Sequence, residues 1–219
     1  MRPADSWSKA RLTMGIAAVT AACWLVVDLL GLEDWAWNWG GFVPARVGAP
    51  FDGSAAPWWL TPLTATLLHA NFVHIAFNLF FLAFCGRRVE NVLGPASLLL
   101  LYLLGAYAAA AAQYLADPQS VQVMIGASGA ISAVLGAYAI LYGRNRVSIV
   151  SGRPAIWLNA LWLMATWVAL QVAVGIVSAE GGFPFSGKGM AIAAAAHIGG
   201  FVIGVLLANP LLRFRWRKA

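Results

Sequence analysis

Three histidines and one serine carry the reactive chemistry of this 219-residue chain, and all four lie in apolar surroundings. The histidines are His69, His74 and His197, and the serine is Ser128 in Gly126-Ala127-Ser128-Gly129. Asn78 follows His74 by four residues, so the two share a helical face. Polar groups at membrane depth are costly and face a protein interior or a water-filled cavity. A hydroxyl, an imidazole base and side-chain donors are what acyl transfer needs. Each residue alone also admits a plainer reading. Ser128, among Gly126, Gly129, Ala133 and Gly136, suits close helix packing. His197 suits packing or a proton relay, and His69, His74 and Asn78 suit a buried polar network. Zinc is not expected, because neither an HExxH pattern nor a cysteine pair accompanies the histidines. No cofactor is expected either. Position 130 is alanine, so the soluble-hydrolase elbow with its second glycine is absent. Asp28 lies near the outer end of the first span, where an interfacial role suffices, and Glu90 lies near the cytoplasmic face, far from the serine in expected depth, which leaves a serine–histidine dyad without an acid.

The elements that must hold these groups are membrane spans. Hydrophobic residues make up 61% of the chain and charged residues 10%, far below the charge of a soluble domain. Apolar windows predict six helices near 12–32, 69–86, 95–115, 123–142, 155–178 and 189–209. The 12–32 run is longer than a signal-peptide core and continues past Cys23, so it reads as a retained span. Residues 33–68 read as a long first loop that dips into the membrane, with Trp58 and Trp59 at the interface. The two cysteines, Cys23 and Cys85, predict no disulfide framework. The expected architecture is one all-α integral membrane domain over residues 1–219, with residues 210–219 as a basic cytoplasmic tail.

Charge sets the orientation. With six spans, Arg2, Lys9, Arg11, Arg87, Arg88, Arg144, Arg146, Arg153, Arg213, Arg215, Arg217 and Lys218 fall on one side, and only Arg46 and Lys188 on the other. The positive-inside rule then puts both termini in the cytoplasm. The basic tail reads as a topology anchor against lipid headgroups rather than a nucleic-acid contact. The second, fourth and sixth spans run inward from the outer face. On the predicted boundaries His74, Ser128 and His197 all lie roughly 7–12 Å below the outer surface.

The ordered motifs resemble the rhomboid family of intramembrane serine proteases. They are His69-Ala-Asn-Phe-Val-His74-Ile-Ala-Phe-Asn78, Gly86-Arg-Arg-Val-Glu90-Asn-Val-Leu-Gly94, Gly126-Ala-Ser128-Gly129, and Ala196-His197-Ile-Gly-Gly200 with Gly204. The resemblance covers a core of about residues 57–209. It implies a six-helix rhomboid-like bundle and a Ser128–His197 dyad. The oxyanion hole would come from the Ser128 backbone with Asn78 and His74. His69, Gly126 and Gly129 would be accessory, and Glu90, Gly200 and Gly204 structural. Residues 179–188 would form a lid. The implied partners are transmembrane protein substrates within the lipid bilayer, and the implied location is a bacterial inner membrane. A non-catalytic relative that escorts transmembrane segments is the alternative. A transporter would need a polar route that the apolar cytoplasmic halves of these helices do not offer.

Two positions depart from the family pattern. Many members carry an aromatic residue four after the nucleophile, where its ring supports the histidine. Here that residue is Ser132. Its hydroxyl is expected to have no chemical role, so the orientation of His197 must come from packing by another helix or remain loose. The first loop has Trp58-Trp59-Leu60 where many members carry a Trp-Arg pair, and Arg46 lies elsewhere in that loop.

Overall fold

The computed structural model describes residues 10–142, 158, 160–169 and 194–216. In chain order its main helices are α1 (Arg11–Leu29), α2 (Glu33–Gly40), α3 (Phe72–Leu93), α4 (Pro95–Ala116), α5 (Ser128–Tyr142), α6 (Ala160–Ala169) and α7 (Ala194–Trp216). α1, α3, α4 and α7 are long and apolar enough to cross a membrane, and α5 and α6 are shorter apolar helices. The protein is an all-α integral membrane bundle. Among the described residues the only strand-like feature is a bridge between Phe42 and Met124. The segment 179–188, the loop 143–154 and the remainder of the 155–178 window lie outside the described residues.

α5 stands at the centre. Eleven of its 15 residues are buried, so it is apolar on every side, as a helix enclosed by others must be. Small residues set the distances around it. A Cβ at Gly200 would collide with the Gly129 carbonyl, and one at Gly204 with the Ala133 carbonyl. On the opposite flank a Cβ at Gly105 would lie 2.5 Å from Ala133 Cβ, and one at Gly129 2.5 Å from Ala109 Cβ. Apolar side chains gain little by leaving lipid for protein. Close backbone approach and dispersion therefore hold α4, α5 and α7 together.

Several helix boundaries differ from those expected. α3 starts at Phe72, not 69, because the Asn71 side chain caps it by accepting from the His74 N–H at 2.8 Å. It runs to Leu93, not 86. A π turn at Leu82–Gly86 carries it on. The arginines that end the apolar window are accommodated, with the Arg88 guanidinium 4.2 Å over the Phe84 ring. Gly94, at φ +84°, then turns the chain into Pro95. α5 starts at Ser128, not 123, because Met124 pairs with Phe42 and Gly126 adopts φ +114°. His74 and Ser128 are therefore the third and first residues of their helices, not five deep.

α7 continues through Pro210 to Trp216, so most of the expected tail is helix. The Arg215 guanidinium reaches the Asn91 carbonyl at 3.2 Å and the Glu90 carbonyl at 3.4 Å. A cation there satisfies carbonyls at the end of α3. Arg215 is thus a cap as well as a charge on the tail. The buried Glu90 carboxylate accepts from Leu12 N–H, Thr13 N–H and the Thr13 hydroxyl at 3.0, 2.8 and 2.6 Å. It satisfies donors that the first turn of α1 leaves open.

The first loop is partly embedded. Phe42 and Ala65 pack with Ala110 of α4, while Trp58 and Trp59 are exposed. Arg46 donates to the Asn38 carbonyl at 2.7 Å, and Tyr107 of α4 donates to the Trp59 carbonyl at 3.0 Å. Arg46 therefore fastens the loop to α2.

Candidate active site

The strand-like stretch before α5 aims the nucleophile. Phe42 and Met124 exchange backbone hydrogen bonds at 3.0 and 2.8 Å. Gly126 N–H donates to the Ala65 carbonyl at 2.8 Å, and Ala127 N–H donates to His69 Nε2 at 3.3 Å. Ser128 follows at once as the first residue of α5. Its own N–H is one of the donors that a helix start leaves without an intrahelical acceptor.

The Ser128 hydroxyl lies 2.8 Å from His197 Nε2, and both residues are buried. Among the described residues His197 Nδ1 has no hydrogen-bond partner, so no acid orients the ring from behind. Glu90 is committed to α1, as described above. Among the described residues the pair forms a hydroxyl–imidazole contact without a third member.

His74 faces the same place. A Cβ built on Gly126 would lie 2.7 Å from His74 Nε2 and 3.8 Å from the Ser128 hydroxyl. The missing side chain leaves a notch between the two. His74 Nδ1 receives a long contact, 3.5 Å, from the Ala70 N–H. An accepting Nδ1 leaves the proton of a neutral ring on Nε2, which is the nitrogen beside the notch. Asn78 donates one amide hydrogen to the His74 carbonyl at 2.8 Å, and a second remains. His69 lies before α3, outside any helix. Its role is local, since it accepts the Ala127 N–H and meets the His74 ring edge at 4.9 Å between centroids.

Position 132 has a structural role. The Ser132 hydroxyl is fully buried and carries two hydrogen bonds. It donates to the Ser128 carbonyl at 2.7 Å and accepts from the Trp167 indole N–H at 2.8 Å. It is not an idle hydroxymethyl. The Trp167 ring lies 6.3 Å from the His197 ring, at 68° between planes. Sequence reasoning passed over Trp167, Asn71 and Ala65. Asn71 was findable as an N-cap three residues before His74, whereas a lone tryptophan in an apolar span carries no signal of direction.

A family model described as Rhomboid domain matches residues 56–214. The chain belongs to the rhomboid family. It is similar to the Rhomboid protease GlpG of Pectobacterium atrosepticum, with 29% identity over 199 residues, 90% of this chain and 61% of that relative. The Rhomboid protease GlpG of Serratia proteamaculans is 28% identical over the same shares. Rhomboid-like protein 11, chloroplastic, of Arabidopsis thaliana is 31% identical over 72% of this chain and 54% of the relative. The chain therefore spans about three-fifths of the length of these bacterial rhomboids. The match begins inside the first loop and ends in the last turn of α7. It thus takes in every residue of the Ser128–His197 neighbourhood.

Proposed function

We propose that this rhomboid is an intramembrane serine endopeptidase working through a Ser128–His197 dyad. The observation that carries the reading is the 2.8 Å contact between the Ser128 hydroxyl and His197 Nε2. That distance is within reach for proton transfer by a general base. In the proposed step His197 Nε2 takes the hydroxyl proton as the Ser128 oxygen adds to a peptide carbonyl. Three donors suit the oxyanion that forms. They are the Ser128 N–H at the start of α5, the His74 Nε2–H beside the Gly126 notch, and the second amide hydrogen of Asn78. The helix start adds its positive end. Collapse of the adduct sends the amine off with the proton from His197. Water, deprotonated by the same imidazole, then cleaves the acyl-enzyme and returns Ser128.

The substrate class is a transmembrane segment of another protein. A helix ties up its own carbonyls, so the scissile bond must first leave the helix, and small or helix-breaking residues nearby make that easier. The positive-inside pattern supports both termini in the cytoplasm and cleavage near the outer face, and the bacterial relatives support residence in a bacterial inner membrane. The test is cleavage of a single-span reporter by the full chain in proteoliposomes. Ser128→Ala and His197→Ala should each abolish cleavage while remaining inserted and folded. A folded parental chain that binds such segments without cutting them would instead be an escort.

A further inference from the structure

We propose that Trp167 is the positioning residue for His197, and that Ser132 is small so that an indole from α6 can occupy the place of a ring on α5. The inference rests on the dyad reading above. Trp167 is almost fully buried, and three contacts fix it. Its N–H donates to the Ser132 hydroxyl at 2.8 Å. Its ring meets the Phe81 ring of α3 at 4.5 Å and 72°. Its other flank meets the His197 ring edge-on at 6.3 Å and 68°, within the range of favoured aromatic pairs. An indole can donate but not accept, and a hydroxyl can do both. Ser132 uses both capacities, since its own proton goes to the Ser128 carbonyl at 2.7 Å. One small residue therefore couples the orientation of the indole to the backbone of the nucleophile. His197 Nδ1 lacks a hydrogen-bond partner among the described residues, so ring packing takes the place of an orienting acid.

This arrangement distinguishes two architectures. A ring on α5, one turn below the serine, would move with the nucleophile. A ring on α6 makes the pose of the base depend on how α6 sits against α5 and α7. Displacing α6 would loosen His197 and break the indole's hydrogen bond to Ser132, while Ser128 keeps its place at the start of α5.

The test uses the full chain in detergent and a fluorophosphonate, following both the rate constant and the final labelled fraction of Ser128 across pH. Variants are Trp167→Leu, Trp167→Phe, Ser132→Ala, Trp167→Ala and the double variant Ser132→Tyr with Trp167→Ala. Trp167→Leu should lower the rate constant about tenfold or more and displace its pH midpoint, with the final fraction unchanged. Ser132→Ala should act in the same direction and less strongly. Trp167→Phe should recover most of the rate. The double variant should react faster than Trp167→Ala alone, because it moves the ring to α5. Labelling of Trp167→Leu at the parental rate, or a fall in final fraction with an unchanged rate constant, would overturn the inference. The latter is what mere loss of folding would give. Absence of label on the folded parental Ser128 would instead overturn the dyad reading, and this inference with it.

Discussion

The buried carboxylate of Glu90 accepts from both the N–H and the hydroxyl of Thr13, at 2.8 and 2.6 Å, and so ties α3 to the start of α1. Glu90→Ala should lower stability by roughly 1–3 kcal/mol, since it strands buried donors. Glu90→Gln keeps an acceptor and should cost less. The measurement is the thermal unfolding midpoint in detergent, read beside fluorophosphonate labelling at low temperature. Labelling should persist in both variants, because Glu90 serves the scaffold rather than the reaction.

Gly126 lies where a side chain would meet His74. Gly126→Ala adds a methyl 2.7 Å from the imidazole, at a φ of +114° that alanine rarely adopts. Cleavage should fall by about 100-fold or more, as expected when a positioned group is displaced. Turnover of a single-span reporter checks it, and near-parental turnover would show that the notch is not where the substrate carbonyl sits.

His74 and Asn78 are expected to act on the oxyanion. Losing one such donor costs about 10²–10³ in rate in a soluble protease. His74→Ala and Asn78→Ala should each lower the turnover number while Ser128 stays reactive to a fluorophosphonate. Parental turnover in both would remove them from the mechanism.

Much of this was legible in the sequence. Hydropathy pointed to apolar helices, and the order of the His69–Asn78, Gly86–Gly94, Ser128 and His197 motifs pointed to the groups proposed to react. Gly200 and Gly204 were readable as a close-packing face, and they meet α5 at Gly129 and Ala133. The boundaries were less legible, because hydropathy reports solvent and not hydrogen bonding. Arg87 and Arg88 end an apolar window but not a helix, and Met124 to Ala127 are apolar yet not helical. Trp167 was hidden for a related reason. In lipid both faces of a helix are apolar, so pattern cannot separate Trp167, which is buried, from Trp162, which is 73% exposed on the same helix. Ser132 shows the opposite limit. Its hydroxyl gains meaning only from a partner 35 residues away.

Orientation can be read by single cysteines placed in a chain whose Cys23 and Cys85 are replaced by alanine. A cysteine at Ser54, in the exposed first loop, should react with an impermeant maleimide from outside the cell. One at Arg213, exposed near the end of α7, should react only after the membrane is opened. The reverse pattern would put the Ser128 end of α5 toward the cytoplasm.

The most direct test of the dyad is the site of fluorophosphonate attachment, mapped by mass spectrometry on the full chain. A hydroxyl 2.8 Å from an imidazole nitrogen should form a covalent adduct where an ordinary serine does not. The adduct should fall on Ser128 in the parental chain. It should be absent in Ser128→Ala, and nearly so in His197→Ala, because removing one member of a unit costs about as much as removing both. An adduct on Ser128 formed at the parental rate in a folded His197→Ala chain would contradict the account.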